Sequence, residues 1–209
     1  MKHQFPEWIV PLIVHAAATL PLALLLHDYL SGGLAPNPAQ ALEQRSGRIA
    51  ITLLTATLAV SPLAGLLRQP VILKARRLLG LYAFGVVALH FILLVGFDFR
   101  FNVPLLVDTY LDKPFTWFGM LTALILLALA LTSTGFWMQR LGKWWVRLHR
   151  LVYLAAMLDL AHYFLAVKGS LLTFSGNLMR PLTYAMLILA LLLLRLFQFR
   201  KSRSAISRQ

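Results

Sequence analysis

The chain of 209 residues contains no cysteine. That absence rules out disulfides, thiolate-ligated iron–sulfur clusters, thiol redox chemistry and covalent c-type haem attachment. Charge is scarce as well. Asp, Glu, Lys and Arg together make up 13% of the residues, about half the share of an ordinary soluble domain. Acidic groups are the rarest, 7 against 20 Lys and Arg. There is no glycine-rich dinucleotide fingerprint and no P-loop, so a nicotinamide cofactor has no Rossmann domain here and any two-electron donor lies elsewhere. No loop is long enough for a soluble catalytic domain. The N-terminal segment does not read as a secretory signal, because its apolar stretch is longer than a signal core and lacks a small-residue cleavage site.

What is present is apolar: 59% of the residues are hydrophobic and the mean hydropathy is +0.74. Apolar runs of about 20 residues, long enough to cross a bilayer, recur along the chain. They predict an all-α integral membrane protein, a single membrane domain over 1–209 built as a six-transmembrane-helix bundle. The helices are expected at about 8–26, 47–67, 78–97, 115–137, 147–167 and 181–199, followed by a basic tail at 200–209. The loops sort by charge. Arg68, Lys74, Arg76 and Arg77 lie between the second and third helices, Arg140, Lys143 and Arg147 between the fourth and fifth, and Arg200, Lys201, Arg203 and Arg208 in the tail. The alternate loops carry Asp28 and Glu43, then Asp98, Asp108 and Asp112. Basic flanks face the cytoplasm, which places the N- and C-termini there. The same distribution accounts for the net charge of +13 without nucleic acid, since no soluble basic domain exists to bind it.

Three histidines fall inside or at the ends of the expected spans: His90, His149 and His162. Ionisable groups in hydrocarbon need a partner and are functional candidates. His90 lies 12 residues into the third helix, about 18 Å along it. His162 lies 15 residues into the fifth, which runs the same way, so the two share a depth in the half of the bilayer away from the cytoplasm. Two imidazoles at matched depth on facing helices can ligate one haem iron from both sides; the alternative is a hydrogen bond from each to a carbonyl or hydroxyl. His149, at the cytoplasmic end of the fifth helix, is separated from His162 by 13 residues, about 220° around an ideal helix, so both face the core only if that helix is distorted. It reads as the ligand of a second haem or as an interfacial histidine. His15 reads as a hydrogen-bonded interior histidine, His27 as hydrated, and His3 as part of the N-terminal tail.

Asp159 is the one carboxylate well inside an expected span, one turn before His162. It is expected to be a buried polar partner; a hydrogen bond to a ligand imidazole, a proton relay and pairing with an arginine remain open. Arg76 and Arg77 read as topology anchors, with docking of an anion such as a flavin phosphate or a haem propionate as the alternative. Trp137, Trp144 and Trp145 read as an interfacial aromatic belt, and Thr132, Ser133 and Thr134 as hydroxyls that bond within or between helices.

A set of short motifs then recurs in order: Gly32-Gly33-Leu34, Asn37-Pro38, Gly47-Arg48, Ser61-Pro62-Leu63, Arg76-Arg77-Leu78-Leu79-Gly80-Leu81, Leu89-His90, Thr132-Ser133, Leu141-Gly142-Lys143, Leu148-His149 with Tyr153, and His162-Tyr163. In these features, from about His15 to Lys168, the chain resembles the MsrQ (YedZ) family. That family comprises haem-binding membrane subunits of the periplasmic methionine sulfoxide reductase system, within the wider ferric-reductase-like transmembrane group. The resemblance implies a b-type haem protein of the bacterial inner membrane. It implies electrons drawn from the quinone pool or a cytosolic flavin reductase, with FMN as a second cofactor. It implies a periplasmic molybdopterin-dependent methionine sulfoxide reductase as the partner. His90, His149 and His162 fall on the family's haem-linked histidines. The wider group often carries two histidines on each of its third and fifth helices; here the position 13 before His90 is Arg77, which is not a usual haem ligand. The implied set is therefore one haem between His90 and His162, with His149 serving a second haem or the donor side, where Arg76 and Arg77 would meet flavin. The rival readings are a ferric reductase of the same architecture and a haem-free proton or solute transporter.

Overall fold

The computed structural model describes residues 6–167, 169–170, 175–176 and 178–206. His3 and Arg208 lie outside these. The described chain is helical apart from a minimal antiparallel pairing of β1 (Gly169–Ser170) with β2 (Ser175–Gly176). The helices are α1 (Ile9–Leu30), α2 (Pro38–Leu67), α3 (Lys74–Leu93), α4 (Val103–Tyr110), α5 (Pro114–Leu131), α6 (Gly135–Leu141), α7 (Lys143–His149), α8 (Leu151–Ala166) and α9 (Met179–Ile206). Among the described residues five segments are long and apolar enough to cross a membrane, in α1, α2, α3 with its flanking turns, α5 and α9.

The fifth expected helix, about 147–167, is the exception. It is divided into α7 and α8 at Arg150, whose backbone stays in the right-handed helical region. Alone, the 16 residues of α8 span about 24 Å, short of a hydrocarbon core of about 30 Å.

Other element ends depart from the hydropathy pattern for identifiable reasons. α2 begins nine residues before the expected 47, because the Asn37 side chain accepts the Gln40 N–H and Pro38 occupies the first helical position. Polar residues from Gln40 to Ser46, in a segment expected to form an external turn or a short surface helix, are thus a helical extension of the span. α5 stops at Leu131 although apolar residues continue to Trp137. The Thr132 hydroxyl joins its own N–H on the Ala128 carbonyl at 2.7 Å, and the Ser133 hydroxyl takes the Leu129 carbonyl at 2.6 Å while the Ser133 N–H turns to Ala130, so hydroxyls and backbone together close the last turn. Asn102 caps α4 by accepting the Leu105 N–H.

α2 is the axis of the bundle. It packs against α1, α3, α8 and α9, while α5 packs against α8 and α3. Of its apolar window 56% is buried, against 17% in α1 and α5. The buried core runs through Leu53, Leu54, Leu58, Ala83, Val86, Leu126, Ala155 and Ile188. Large apolar side chains such as Leu20, Leu24, Leu124, Leu154 and Leu189 are exposed, a surface suited to lipid rather than to water. In lipid the hydrophobic effect does not drive helices together, so close packing of small residues does. Ala83 on α3 and Ala155 on α8 are fully covered. Gln198 of α9 lies against Gly65 and donates to the Pro62 carbonyl at 3.0 Å, tying α9 to α2.

Overpacking a close helix contact costs about 1–3 kcal/mol. Ala155→Leu, at a position 0% exposed, is therefore expected to lower the unfolding temperature in detergent by several degrees. Leu154→Ala, on a side chain 48% exposed, is expected to leave it nearly unchanged, and thermal melts of the two variants check the difference.

Candidate haem site

His90 lies in the last turn of α3 and His162 in the last two turns of α8. α2 begins at this end of the bundle and α5 begins beside it, so four helices frame the two rings. Each ring has a defined partner. His90 Nδ1 is 3.0 Å from the Glu43 carbonyl of α2, with Ser46 Oγ 3.1 Å away and donating to the same carbonyl. His162 Nδ1 is 2.8 Å from the Phe115 carbonyl in the first turn of α5. A carbonyl only accepts, so both Nδ1 atoms carry the hydrogen and both Nε2 atoms keep their lone pair. A histidine held in this way by a backbone carbonyl has its tautomer and ring plane fixed for metal ligation through the other nitrogen.

The rings are 6.5 Å apart between centroids and nearly perpendicular, at 85°. Metal–imidazole bonds of about 2 Å, with half a ring on each side, put the centroids of two axial ligands about 6 Å apart. The observed centroid separation is close to that value. Glycines make the room. A Cβ on Gly47 of α2 would lie 3.3 Å from His90 Cε1, and a Cβ on Gly119 of α5 would lie 2.7 Å from His162 Nδ1. Among the described residues no group of three or more His, Cys, Asp or Glu forms a bare-metal cage, so the donor set suits a macrocycle that supplies its own equatorial ligands.

His149 is built differently. Its Nδ1 donates to the Trp145 carbonyl of its own helix at 3.1 Å, and its ring stacks on Trp145 at 3.9 Å. Its Nε2 is 3.4 Å from Ser133 Oγ, a hydroxyl already committed to Leu129. Trp145 in turn donates to the Thr132 carbonyl, so the Thr132-Ser133 turn and α7 are bonded to each other. The electrostatic neighbours around His149 are basic. Arg76 is close to it, Arg195 is close to Arg76 and Arg150, and the Arg195 guanidinium lies over the Tyr153 ring at 4.8 Å. Arg76 is half-buried in this cluster, whereas Arg77 is exposed. Asp159 does not bond the His162 ring, whose Nδ1 is taken by Phe115, and its buried Oδ2 has no hydrogen-bond partner among the described residues. His15 bonds the Tyr82 hydroxyl at 2.6 Å and links α1 to α3; His27 is exposed. Trp144 stacks under Arg147 at the edge of the bundle.

Sequence reasoning did not reach the carbonyls of Glu43 and Phe115, which any residue type would present, or the roles of Gly47 and Gly119. Gly47 stands in a recognised motif, and its small size next to a histidine-bearing helix was the available signal. Gly119 lies in an apolar run and reads as ordinary packing.

Residues 46–160 match the family described as ferric reductase like transmembrane component. A protein of Caulobacter vibrioides named protein-methionine-sulfoxide reductase heme-binding subunit MsrQ is 38% identical over 193 residues, covering 92% of this chain and 89% of that protein. Proteins of the same name from Salmonella paratyphi B and Salmonella newport are 41% identical over 192 residues, covering 90% of this chain and 92% of theirs. No solved structure matches the chain.

Gly119→Ala would force the His162 ring off its carbonyl, whereas a Cβ on Gly85 would meet nothing within 4 Å. The expected outcome is a fall in haem per protein of severalfold for Gly119→Ala and none for Gly85→Ala, read from the pyridine haemochrome of the purified proteins.

Proposed function

The chain belongs to the MsrQ family of the ferric-reductase-like transmembrane group, and from that premise we propose that it is a haem b electron-transfer subunit of a bacterial inner membrane. The supporting observation is the His90–His162 pair: two imidazoles with centroids 6.5 Å apart, each with Nδ1 on a backbone carbonyl and, among the described residues, no hydrogen-bond partner on Nε2. His90 and His162 would hold the iron. Bound there, the haem supplies one-electron transfer in a low-dielectric site, and the residues around it supply position and orientation. Glu43 and Phe115 hold the imidazole planes through their carbonyls, and Gly47 and Gly119 let α2 and α5 approach the rings.

The whole chain forms one membrane domain with six spans in this reading, α7 and α8 together making the fifth, and both termini in the cytoplasm. Arg76, Arg150 and Arg195 then gather with His149 at the cytoplasmic end. Among the described residues none of the three forms an ion pair with a carboxylate, and such arginines, two of them half-buried, suit an anionic donor such as the phosphate of FMN. His149 is the donor-side residue, since its Nε2 faces a hydroxyl instead of a second imidazole. Electrons come from the quinone pool or a cytosolic flavin reductase. They leave at the opposite face to a periplasmic molybdenum-containing methionine sulfoxide reductase, for repair of oxidised proteins.

The test is reoxidation of the reduced protein in nanodiscs. Adding the molybdenum reductase with a methionine sulfoxide substrate is expected to restore the oxidised Soret band within seconds. Reoxidation by chelated ferric iron alone would favour a ferric reductase, and absence of any Soret band after expression with ample haem would favour a transporter. In the same preparation His149→Ala is expected to slow reduction by the flavin or quinol donor about tenfold or more. Unchanged donor kinetics and unchanged flavin content in that variant would remove His149 from the donor side.

A further inference from the structure

Two links join the first turns of α1 and α3, and both helices keep the same spacing between them. Glu7, just before α1, pairs with Lys74 at the first position of α3. Eight residues further along each segment, His15 Nδ1 is 2.6 Å from the Tyr82 hydroxyl, with the two rings edge to face. Eight helical residues rise about 12 Å, so this second link lies within the hydrocarbon of the cytoplasmic half in the reading above. His15 is exposed there, toward lipid instead of the core. An ionisable side chain in that position is a functional candidate. The Tyr82 bond occupies Nδ1, and among the described residues Nε2 has no partner. A polar nitrogen left open in an apolar setting is costly unless a ligand meets it.

Tyr82 also lines a cleft of about 300 Å³ between the same two helices. Leu78, Leu81, Gly85 and Leu89 recur along it at the spacing of one face of α3, and Leu22 of α1 lines it with them. Gly85 keeps it open, since a Cβ there would meet nothing within 4 Å. From Leu78 to Leu89 the helix rises about 17 Å, and Leu89 adjoins His90. The cleft therefore runs along α3 from the polar pair toward the candidate iron site, with apolar walls and one polar edge. A phospholipid chain would fill the walls and leave Nε2 idle. A flat ring with oxygen at its edge and an apolar tail uses both.

Resting on the haem reading above, we propose that this cleft binds a lipid-soluble hydroquinone, with a head-group oxygen on His15 Nε2 beside Tyr82 and the tail between α1 and α3. The pair suits both redox forms of such a ligand. With Nδ1–H donating to the Tyr82 oxygen, Nε2 accepts the O–H of the hydroquinone. With the Tyr82 O–H donating to Nδ1, Nε2–H donates to the C=O of the quinone. Oxidation breaks the two O–H bonds and converts the two C–O bonds to C=O. The two electrons pass one at a time to ferric haem, and the two protons leave by way of His15 to the cytoplasmic surface at Glu7 and Lys74. The flavin donor keeps its separate entry at His149.

The experiment uses the full-length protein in nanodiscs. An azido-ubiquinone photolabel with mass mapping of the labelled peptide reads binding. Stopped-flow reduction of the haem by decylubiquinol or by reduced FMN reads delivery. Gly85→Leu fills the cleft from an open position, and His15→Phe removes the free nitrogen. Each is expected to lower labelling, and to slow reduction by decylubiquinol, about tenfold, the effect of losing one hydrogen bond or its seat. Haem content and reduction by FMN are expected to match the parent. If one variant does not fold, the other carries the same test. Labelling and decylubiquinol kinetics equal to the parent in the folded variants would overturn the proposal. So would a label that maps away from α1 and α3, or a co-purifying phospholipid in the cleft that excess quinone does not displace. A parent protein that takes up no haem yet carries the label on this cleft would defeat the haem reading and leave the binding site standing.

Discussion

Two hydrogen bonds from Nδ1 to a backbone carbonyl govern the centre of this bundle. One joins α3 to α2 through His90 and Glu43, the other joins α8 to α5 through His162 and Phe115. Each does three things at once. It satisfies a polar N–H in an apolar setting, where an unpaired donor costs roughly 1–3 kcal/mol. It selects the tautomer that leaves Nε2 as a ligand. It also sets the ring planes, which stand at 85° to one another. These bonds add to the close packing that holds the four helices together. A Cβ on Gly119 would collide with the His162 ring at 2.7 Å, and one on Gly47 would crowd the His90 ring at 3.3 Å.

The two ends of the bundle are organised around charge without many carboxylates. Among the described residues the ion pairs are Arg45 with Asp28 and Lys74 with Glu7, both at the margins. Arginines elsewhere cluster with tyrosines, Arg48 and Arg180 near Tyr163 and Tyr184, Arg195 over Tyr153. Such clusters are expected where anions arrive as cofactors or lipids, since a guanidinium group in a low-dielectric setting needs a counter-charge. The hydroxyl-rich turn after α5 plays the complementary part. Thr132 and Ser133 close the carbonyls of a helix that ends early, and Trp145 and His149 then dock on that turn.

Much of the bundle was legible in the sequence because hydropathy and depth are one-dimensional quantities. Positions 90 and 162 lie at matched distances from their basic flanks, and the rings do come within 6.5 Å. The early start of α2 was hidden because Gln40, Glu43, Gln44 and Arg45 look like loop residues, while the Asn37 cap that overrules them is a single side chain. The early end of α5 was hidden for the opposite reason, apolar residues running on past hydroxyls that terminate the helix. The break at Arg150 leaves no mark on hydropathy. Backbone carbonyls as imidazole partners have no signature at all, and Asp159, the most suggestive partner by spacing, does not fill that role.

Optical and low-temperature EPR spectra, with haem quantification, on the purified protein and on His90→Ala and His162→Ala test the shared iron most directly. A haem held by both imidazoles predicts a low-spin ferric signal in the parent and its loss in either variant, with haem content falling alike in the two. Retention of the parent's low-spin signal and haem content in either variant would contradict it.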